Sequence, residues 1–160
     1  MELGPRRVVT GHDRADKAIV LIDEISTNVI SRRPKHQACV VWTTEGFPVN
    51  NDGSEDEAPR DAAGKGMRDG TVFRVNRLDP GVAARVHRTD SIDYAVVMSG
   101  ELDMEMEDGL TVRLHAGDVL VQRGTIHNWV NNGAEPCIVA FILIDAKPVE
   151  VAGKRLEAVG

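Results

Sequence analysis

RVHRTDSIDYAVVMSG, residues 85–100, is the stretch on which the reading of this chain turns. It carries Arg85, His87, Thr89 and Asp93 and then an apolar alternation that ends at Gly100. Side chains alternate across a strand, so Arg85, His87 and Thr89 are expected on one face, as are Asp93, Ala95 and Val97. Val86 and Arg88 would then point the other way. A second stretch, GDVLVQRGTIHNWVN at 117–131, puts His127, Trp129 and Asn131 on a common face by the same rule. The question is whether these faces meet inside a closed sheet.

The rest of the chain is written in short runs rich in Val, Ile and Thr, separated by turn dipeptides, as in an all-β sandwich or barrel. The expected strands are RRVVT, KAIVLID, ACVVWTT, TVFRVNR, AARVHR, IDYAVVMS, ELDMEME, LTVRLH, DVLVQ, HNWVN and CIVAFILI. Only GKRLEAV near the C-terminus reads as a short helix. Asp108-Gly109 and Asn132-Gly133 are pairs that accept positive φ at the centre of a two-residue hairpin, and Asp79-Pro80-Gly81 closes a turn before the His87 segment. ELDMEMED alternates Glu101, Asp103, Glu105 and Glu107 against Leu102, Met104 and Met106. That is a strand with a wet acidic face, not a calcium site, because no loop of oxygen ligands follows.

Between Val49 and Gly70 runs VNNDGSEDEAPRDAAGKGMRDG, polar and without periodicity. It reads as a solvated acidic loop, with a lid over a pocket as the alternative. A chain of 160 residues suits one structural domain. Residues 1–70 supply N-terminal strands and the acidic loop, 71–145 the barrel core, and 146–160 a tail.

With 42% hydrophobic and 28% charged residues the composition is that of an ordinary globular chain. A formal charge of −6 lacks the Lys/Arg excess that would neutralise phosphates, so nucleic acid is not expected as a partner. No uncharged stretch is long enough to cross a bilayer and no apolar leader stands at the start, so a soluble cytoplasmic protein with no membrane partner is expected. Cys39 and Cys137 are too few for a disulfide framework, and both lie in apolar strand-like runs, where buried free thiols are expected.

The spacing resembles the two motifs of the cupin superfamily, G-x5-H-x-H-x3-4-E-x6-G and G-x5-P-x-G-x2-H-x3-N. Gly81, His87, Asp93 and Gly100 keep the frame of the first, with Thr89 at the second histidine position and Asp93 in place of glutamate. Gly117, Gly124, His127 and Asn131 keep the second, with Gln122 at the proline and one residue fewer after Gly117. The resemblance implies a double-stranded β-helix, a jelly-roll barrel, with extra N-terminal strands flanking it. Small cupins commonly pair by exchanging N-terminal strands, so a homodimer is expected on the same ground.

In such a barrel His87, Asp93 and His127 would converge as two imidazoles and one carboxylate. This set suits one divalent transition metal, Fe, Mn, Ni or Zn, with open positions. Against it stand the missing histidine at Thr89 and the shorter reach of Asp93. The alternative is a metal-free pocket in which both histidines transfer protons, since their ordinary pKa lies near neutrality. Arg85 would be costly to bury unless it binds an anionic substrate group or pairs with Asp93. Thr89, Trp129, Arg74 and Asn76 are the other expected substrate contacts, with Trp129 as pocket wall. Tyr94, His115 and Arg123 are read as structural.

No G-x-S-x-G, H-E-x-x-H, P-loop or dinucleotide fingerprint occurs, which disfavours serine hydrolase, zincin, NTPase and Rossmann chemistry. The expected function is a small-molecule cupin enzyme, a lyase or isomerase that dehydrates, decarboxylates or shifts a proton on a carboxylate, phenol or enolisable ketone. One of His87 and His127 would act as base and the other as acid. Asp93 would orient an imidazole or bind the metal, and Arg85 would stabilise negative charge on a substrate oxygen. Two further readings are a non-haem iron dioxygenase and a non-catalytic small-molecule-binding cupin.

Overall fold

The computed structural model describes residues 3–59 and 69–160. The longest sheet has six strands in the order β3-β4-β5-β11-β6-β9: β3 Val29–Arg33, β4 His36–Thr44, β5 Thr71–Leu78, β6 Ser91–Ser99, β9 Val119–Arg123 and β11 Cys137–Asp145. Facing it is a three-stranded sheet in the order β10-β7-β8, made of β7 Glu101–Glu105, β8 Thr111–His115 and β10 Asn128–Val130. Two hairpins flank them, β1 Arg6–His12 with β2 Ala18–Ile25 and β12 Val149–Val151 with β13 Lys154–Leu156. The arrangement is the all-β double-stranded β-helix expected from the sequence.

Period-two patterning explains why the two larger sheets close on each other. In β6, Ser91, Asp93, Ala95 and Val97 are buried while Tyr94, Val96 and Met98 are exposed. Ala95 and Val97 meet Leu102, Met104, Leu114, Trp129, Val139 and Phe141 in one apolar core. Full burial of a Val, Leu or Phe contributes roughly 1.5–3 kcal/mol, so this cluster is the main glue between the sheets. In β7, Leu102 and Met104 are buried as expected, but Asp103 is buried too. It is held by Arg113 at 2.8 and 2.9 Å and by Asn132 at 2.9 Å, so a fully wet acidic face is not what forms.

Several turns behave as their residues require. Pro80 and Gly81 (φ +67°) sit at the centre of a turn closed by Val82 N–H donating to the Asp79 carbonyl at 3.1 Å. Asp108 and Gly109 both take positive φ between β7 and β8. Asn132-Gly133 does not make the expected hairpin. Neither residue has positive φ, β10 and β11 lie in different sheets, and Asn131 Oδ1 organises the turn by accepting from Gly133 N–H at 2.9 Å.

Other expectations are corrected. The tail carries no helix: Ala152 (φ +50°) and Gly153 (φ +75°) form a left-handed turn, and Leu156 of GKRLEAV pairs with Val149 in a hairpin. AARVHR is not a strand beyond isolated bridges of His87 with His127 and Arg88 with Val159, because the Arg85 N–H is taken by Asn128 Oδ1 at 2.8 Å. β3 was not anticipated. The first part of the acidic loop is docked rather than solvated: Asp56 pairs with Arg7, Thr43 Oγ1 donates to the Glu57 carbonyl at 2.6 Å, and Ala58 is fully buried against Val40 and Val72. Residues 60–68, on which the lid reading also falls, lie outside the described residues.

Cys39 and Cys137 are buried free thiols, and burial pushes the Cys137 thiol up to about 11. Among the described residues no helix is long and apolar enough to cross a membrane.

Candidate functional site

Between the sheets lies a cavity of about 590 Å³. Its wall contains Arg74, Asn76, Arg85, His87, Thr89, Asp93, His127 and Trp129, so every expected site residue faces one space. Arg74 and Asn76 reach it from alternate positions of β5, Asp93 from the inward face of β6, and Trp129 from β10. Tyr94, His115 and Arg123 lie elsewhere, as read from the sequence.

His87 and His127 are locked to each other through the backbone, each N–H donating to the other's carbonyl at 2.9 Å. Their ring centroids are 4.3 Å apart. His87 Nδ1 lies 2.9 Å from the Arg85 carbonyl and His127 Nδ1 lies 3.0 Å from the Thr125 carbonyl. A carbonyl only accepts, so each ring carries its proton on Nδ1 and leaves the Nε2 lone pair available. Burial pushes the pKa of His87 down to about 4 against the help of its Arg85 carbonyl, and it lowers that of His127 as well. Both imidazoles are neutral at pH 7.

Gln122, at the expected proline position, stiffens the turn before His127 by other means. Its amide donates to the Thr125 carbonyl at 2.8 Å, and its carbonyl accepts from Gly124 N–H at 3.3 Å.

Thr89 has a definite role in this geometry. Thr89 Oγ1 lies 2.9 Å from Ser91 Oγ, which lies 2.6 Å from Asp93 Oδ1. A carboxylate only accepts and each hydroxyl has one hydrogen, so the chain runs from Thr89 to Ser91 to Asp93. Burial raises the Asp93 pKa, opposed by the Ser91 hydrogen bond and then by Arg74 and His127. Arg85 does not pair with Asp93; its Nη2 donates to the Gly160 carbonyl at 3.2 Å.

These facts bear on the expected metal. Among the described residues no three His, Cys, Asp or Glu side chains converge closely enough to hold an ion. The two imidazoles are oriented as ligands would be, but Asp93 is tied to Ser91 and Thr89 offers a hydroxyl already engaged. The expected set of His87, Asp93 and His127 is not assembled here as a metal centre, and the residues present do not fit one.

Sequence reasoning missed a third histidine. His36 opens β4 on the face of Ala38 and Val40, all three lining the cavity. Burial pushes its pKa down to about 4, with Arg33, Arg74 and Arg85 adding to the effect. Extending the alternation of ACVVWTT two residues backward would have placed it. Arg32 and Arg33 also line the cavity, from the unanticipated β3. Among the described residues the lining therefore holds four arginines, Arg32, Arg33, Arg74 and Arg85, and one carboxylate, Asp93. The chain as a whole is acidic, whereas the described lining of this cavity carries more cationic than anionic side chains.

Comparison with known proteins agrees with the fold. A family model described as a cupin domain matches residues 74–144. A cupin-domain-containing oxidoreductase of Aspergillus ruber is 34% identical over 94% of this chain and 77% of its own. A phomopsin biosynthesis cluster protein of Diaporthe leptostromiformis is 33% identical over 97% of this chain and 86% of its own. Among solved structures, a double-stranded β-helix protein from Klebsiella pneumoniae superposes with a TM-score of 0.52 at 21% identity, covering 74% of this chain and 84% of that one. With its strand order, its two histidine segments and these relatives, the chain belongs to the cupin family.

Proposed function

We propose that the protein is a small-molecule enzyme of the cupin type that binds an anionic organic substrate and moves a proton on it, as a lyase or isomerase does. The observation that carries this reading is the make-up of the cavity wall, where among the described residues Arg32, Arg33, Arg74 and Arg85 stand with one buried carboxylate, Asp93. Guanidinium groups are weakly hydrated forks that match carboxylates and enolates, so a desolvated anion gains strong charge-assisted hydrogen bonds there.

His127 is the base in this scheme. Its Nε2 lone pair is available, it is neutral at pH 7, and the charge of Asp93 favours the imidazolium that forms when it takes a proton. His87, its basicity pushed down to about 4, is not an acid at pH 7 and instead packs against the His127 ring. The proton returns to the substrate from His127, and Arg74 and Arg85 stabilise negative charge on the substrate oxygen in between. The Thr89–Ser91–Asp93 chain holds the carboxylate in place.

The test uses binding and exchange together. A panel of carboxylates and phenolates is titrated against Trp129 fluorescence, and bound ligands are then followed by NMR in heavy water for exchange of hydrogen beside the carbonyl. Exchange should be lost in His127→Ala while binding stays. Exchange that survives His127→Ala would overturn the mechanism, and a wild type that binds without exchanging anything would be a carrier. The names of the relatives favour a second reading, oxidation of a small molecule. Oxygen uptake that accompanies consumption of a bound ligand would establish it in place of the first.

A further inference from the structure

We propose that the outer face of β6 and β9 is a dimer surface, on which the same face of a second copy of this chain packs about a two-fold axis. The inference goes beyond the reaction proposed above and does not depend on it. An antiparallel sheet with one face on the core and the other in water alternates apolar inward with polar outward. The three-stranded sheet obeys that rule, since its outward positions are Glu101, Asp103 and Glu105 on β7 opposite His115, Arg113 and Thr111 on β8. The six-stranded sheet does not. Tyr94, Val96 and Met98 point outward from β6 and Val119 and Val121 from β9, and all five are 37–73% exposed. Tyr94 stands opposite Val121 and Val96 opposite Val119, so they form one patch, and Ala140 and Ile142 of β11 continue it on the other side of β6.

Farther along the same sheet the chain covers this face itself. The outward residues Cys39 of β4 and Val75 of β5 are buried together with Leu3 of the N-terminal segment. Over β6 and β9 no described residue does the same, and the side chains stay open to water.

Area and charge identify the occupant. At roughly 150–250 Å² for a fully exposed residue of this size, the five side chains leave about 500 Å² open on each copy. That is more than the few hundred Å² a monomeric chain ordinarily shows as one apolar patch. A stable pair buries about 800 Å² on each partner, of which about 60% is apolar. The open area is therefore what one side of such a contact uses. Among the described residues pointing outward from β6 and β9 only Arg123 is charged, at the end of β9, where the rim of a contact leaves it in water. The chain carries a formal charge of −6, so two copies repel over most of their surface and least across an uncharged face. An apolar face laid on itself is also self-complementary, as a two-fold contact requires. Two twisted sheets stacked in this way pack about 10 Å apart. No strand is exchanged, because β1 and β2 pair with each other.

The experiment reads the mass of the full chain by sedimentation equilibrium at micromolar concentration and, on the same samples, the nitration of Tyr94. This is the chain's single tyrosine, so the reagent reports on this face alone. The wild type should sediment at about twice 17.4 kDa with Tyr94 protected. Val121→Lys puts a charge into the contact on both copies and should weaken association by about a hundredfold or more, exposing Tyr94 to the reagent while the far-ultraviolet spectrum stays that of the wild type. Should that variant fail to fold, Val119→Thr/Val121→Thr keeps the branched shape that suits a strand and should weaken association by about tenfold or more. Val20→Lys, at an exposed position of the β1–β2 hairpin, should change neither reading. A monomeric wild type, or a dimer whose Tyr94 is fully nitrated, overturns the proposal. A dimer that persists in Val121→Lys, or one that dissociates in Val20→Lys instead, overturns it as well.

Discussion

Replacing His36 with glutamine should make the protein more tolerant of acid. In the folded chain burial, reinforced by Arg33, Arg74 and Arg85, holds the imidazole near pKa 4, against an ordinary 6.5. Between those values the unfolded chain binds a proton that the folded chain refuses, so stability falls as pH drops through the window and is retained above it. From pH 7 to pH 5 the full linkage amounts to about 2 kcal/mol, at 1.36 kcal/mol per unit of pKa shift. Water still reaches part of this wall, and halving the figure for screening leaves about 1 kcal/mol. The assay is urea unfolding followed by the fluorescence of Trp42 and Trp129 at pH 7 and pH 5. His87 and His127 titrate in the same direction, so the informative quantity is the loss in the wild type minus the loss in His36→Gln. Any fixed cost of the substitution cancels in that difference. The variant should lose about 1 kcal/mol less than the wild type on acidification. Equal losses, or a larger loss in the variant, would refute the account of a buried neutral imidazole facing three arginines.

Three other outcomes follow from the packing. Leu102→Ala, at a side chain 1% exposed between the sheets, should cost about 2–5 kcal/mol in chemical unfolding, since the cavity is walled by other strands and cannot collapse. Asp103→Asn should cost about 1–3 kcal/mol by the same measurement, because it breaks the two-pronged contact with Arg113, and the difference should shrink toward low pH, where the wild-type carboxyl is itself protonated. Gly100→Ala should lower the melting temperature even though it adds only a methyl group. The residue sits at φ +76°, and a Cβ there would come within 2.7 Å of the Pro136 carbonyl oxygen, so about 1–3 kcal/mol of strain is expected.

The barrel core was legible in the sequence because β6, β7 and β11 put apolar pairs inward at period two, Ala95 with Val97, Leu102 with Met104 and Val139 with Phe141, between turns that need Gly81, Asp108 and Gly109. What escaped was the opposite case. β3, VISRR, directs Arg32 and Arg33 into a cavity, so its pattern looks like a polar connection rather than a strand. His36 was lost with it, as a polar residue ahead of an apolar run. GKRLEAV contains good helix formers, and nothing inside those residues announces that Ala152 and Gly153 would fold it back on Val149. The segment 83–88 has strand-like composition but spends a backbone donor on the Asn128 side chain, a tertiary choice that periodicity does not register. The site residues were found because motif spacing reported where the inward faces point. That spacing could not report what the inward side chains bind to.

The three departures from the family's motifs belong to one rewiring. Thr89, in place of a histidine, starts a hydroxyl chain that ends on Asp93, and aspartate's shorter stem suits a carboxylate that meets Ser91 rather than one that reaches to the centre of the cavity. Gln122, in place of proline, restrains the turn that presents His127 by hydrogen bonds instead of by a ring. Each substituted position thus has a hydrogen-bond partner of its own, Thr89 and Asp93 through Ser91 and Gln122 in the turn before His127. The positive charge that a cation would have supplied to a substrate oxygen is present in another form, as arginines set around the same space. A pocket wired this way keeps both imidazoles and places Arg32, Arg33, Arg74 and Arg85 around the same space, and on the proposed reading it is these side chains that draw in an anionic substrate.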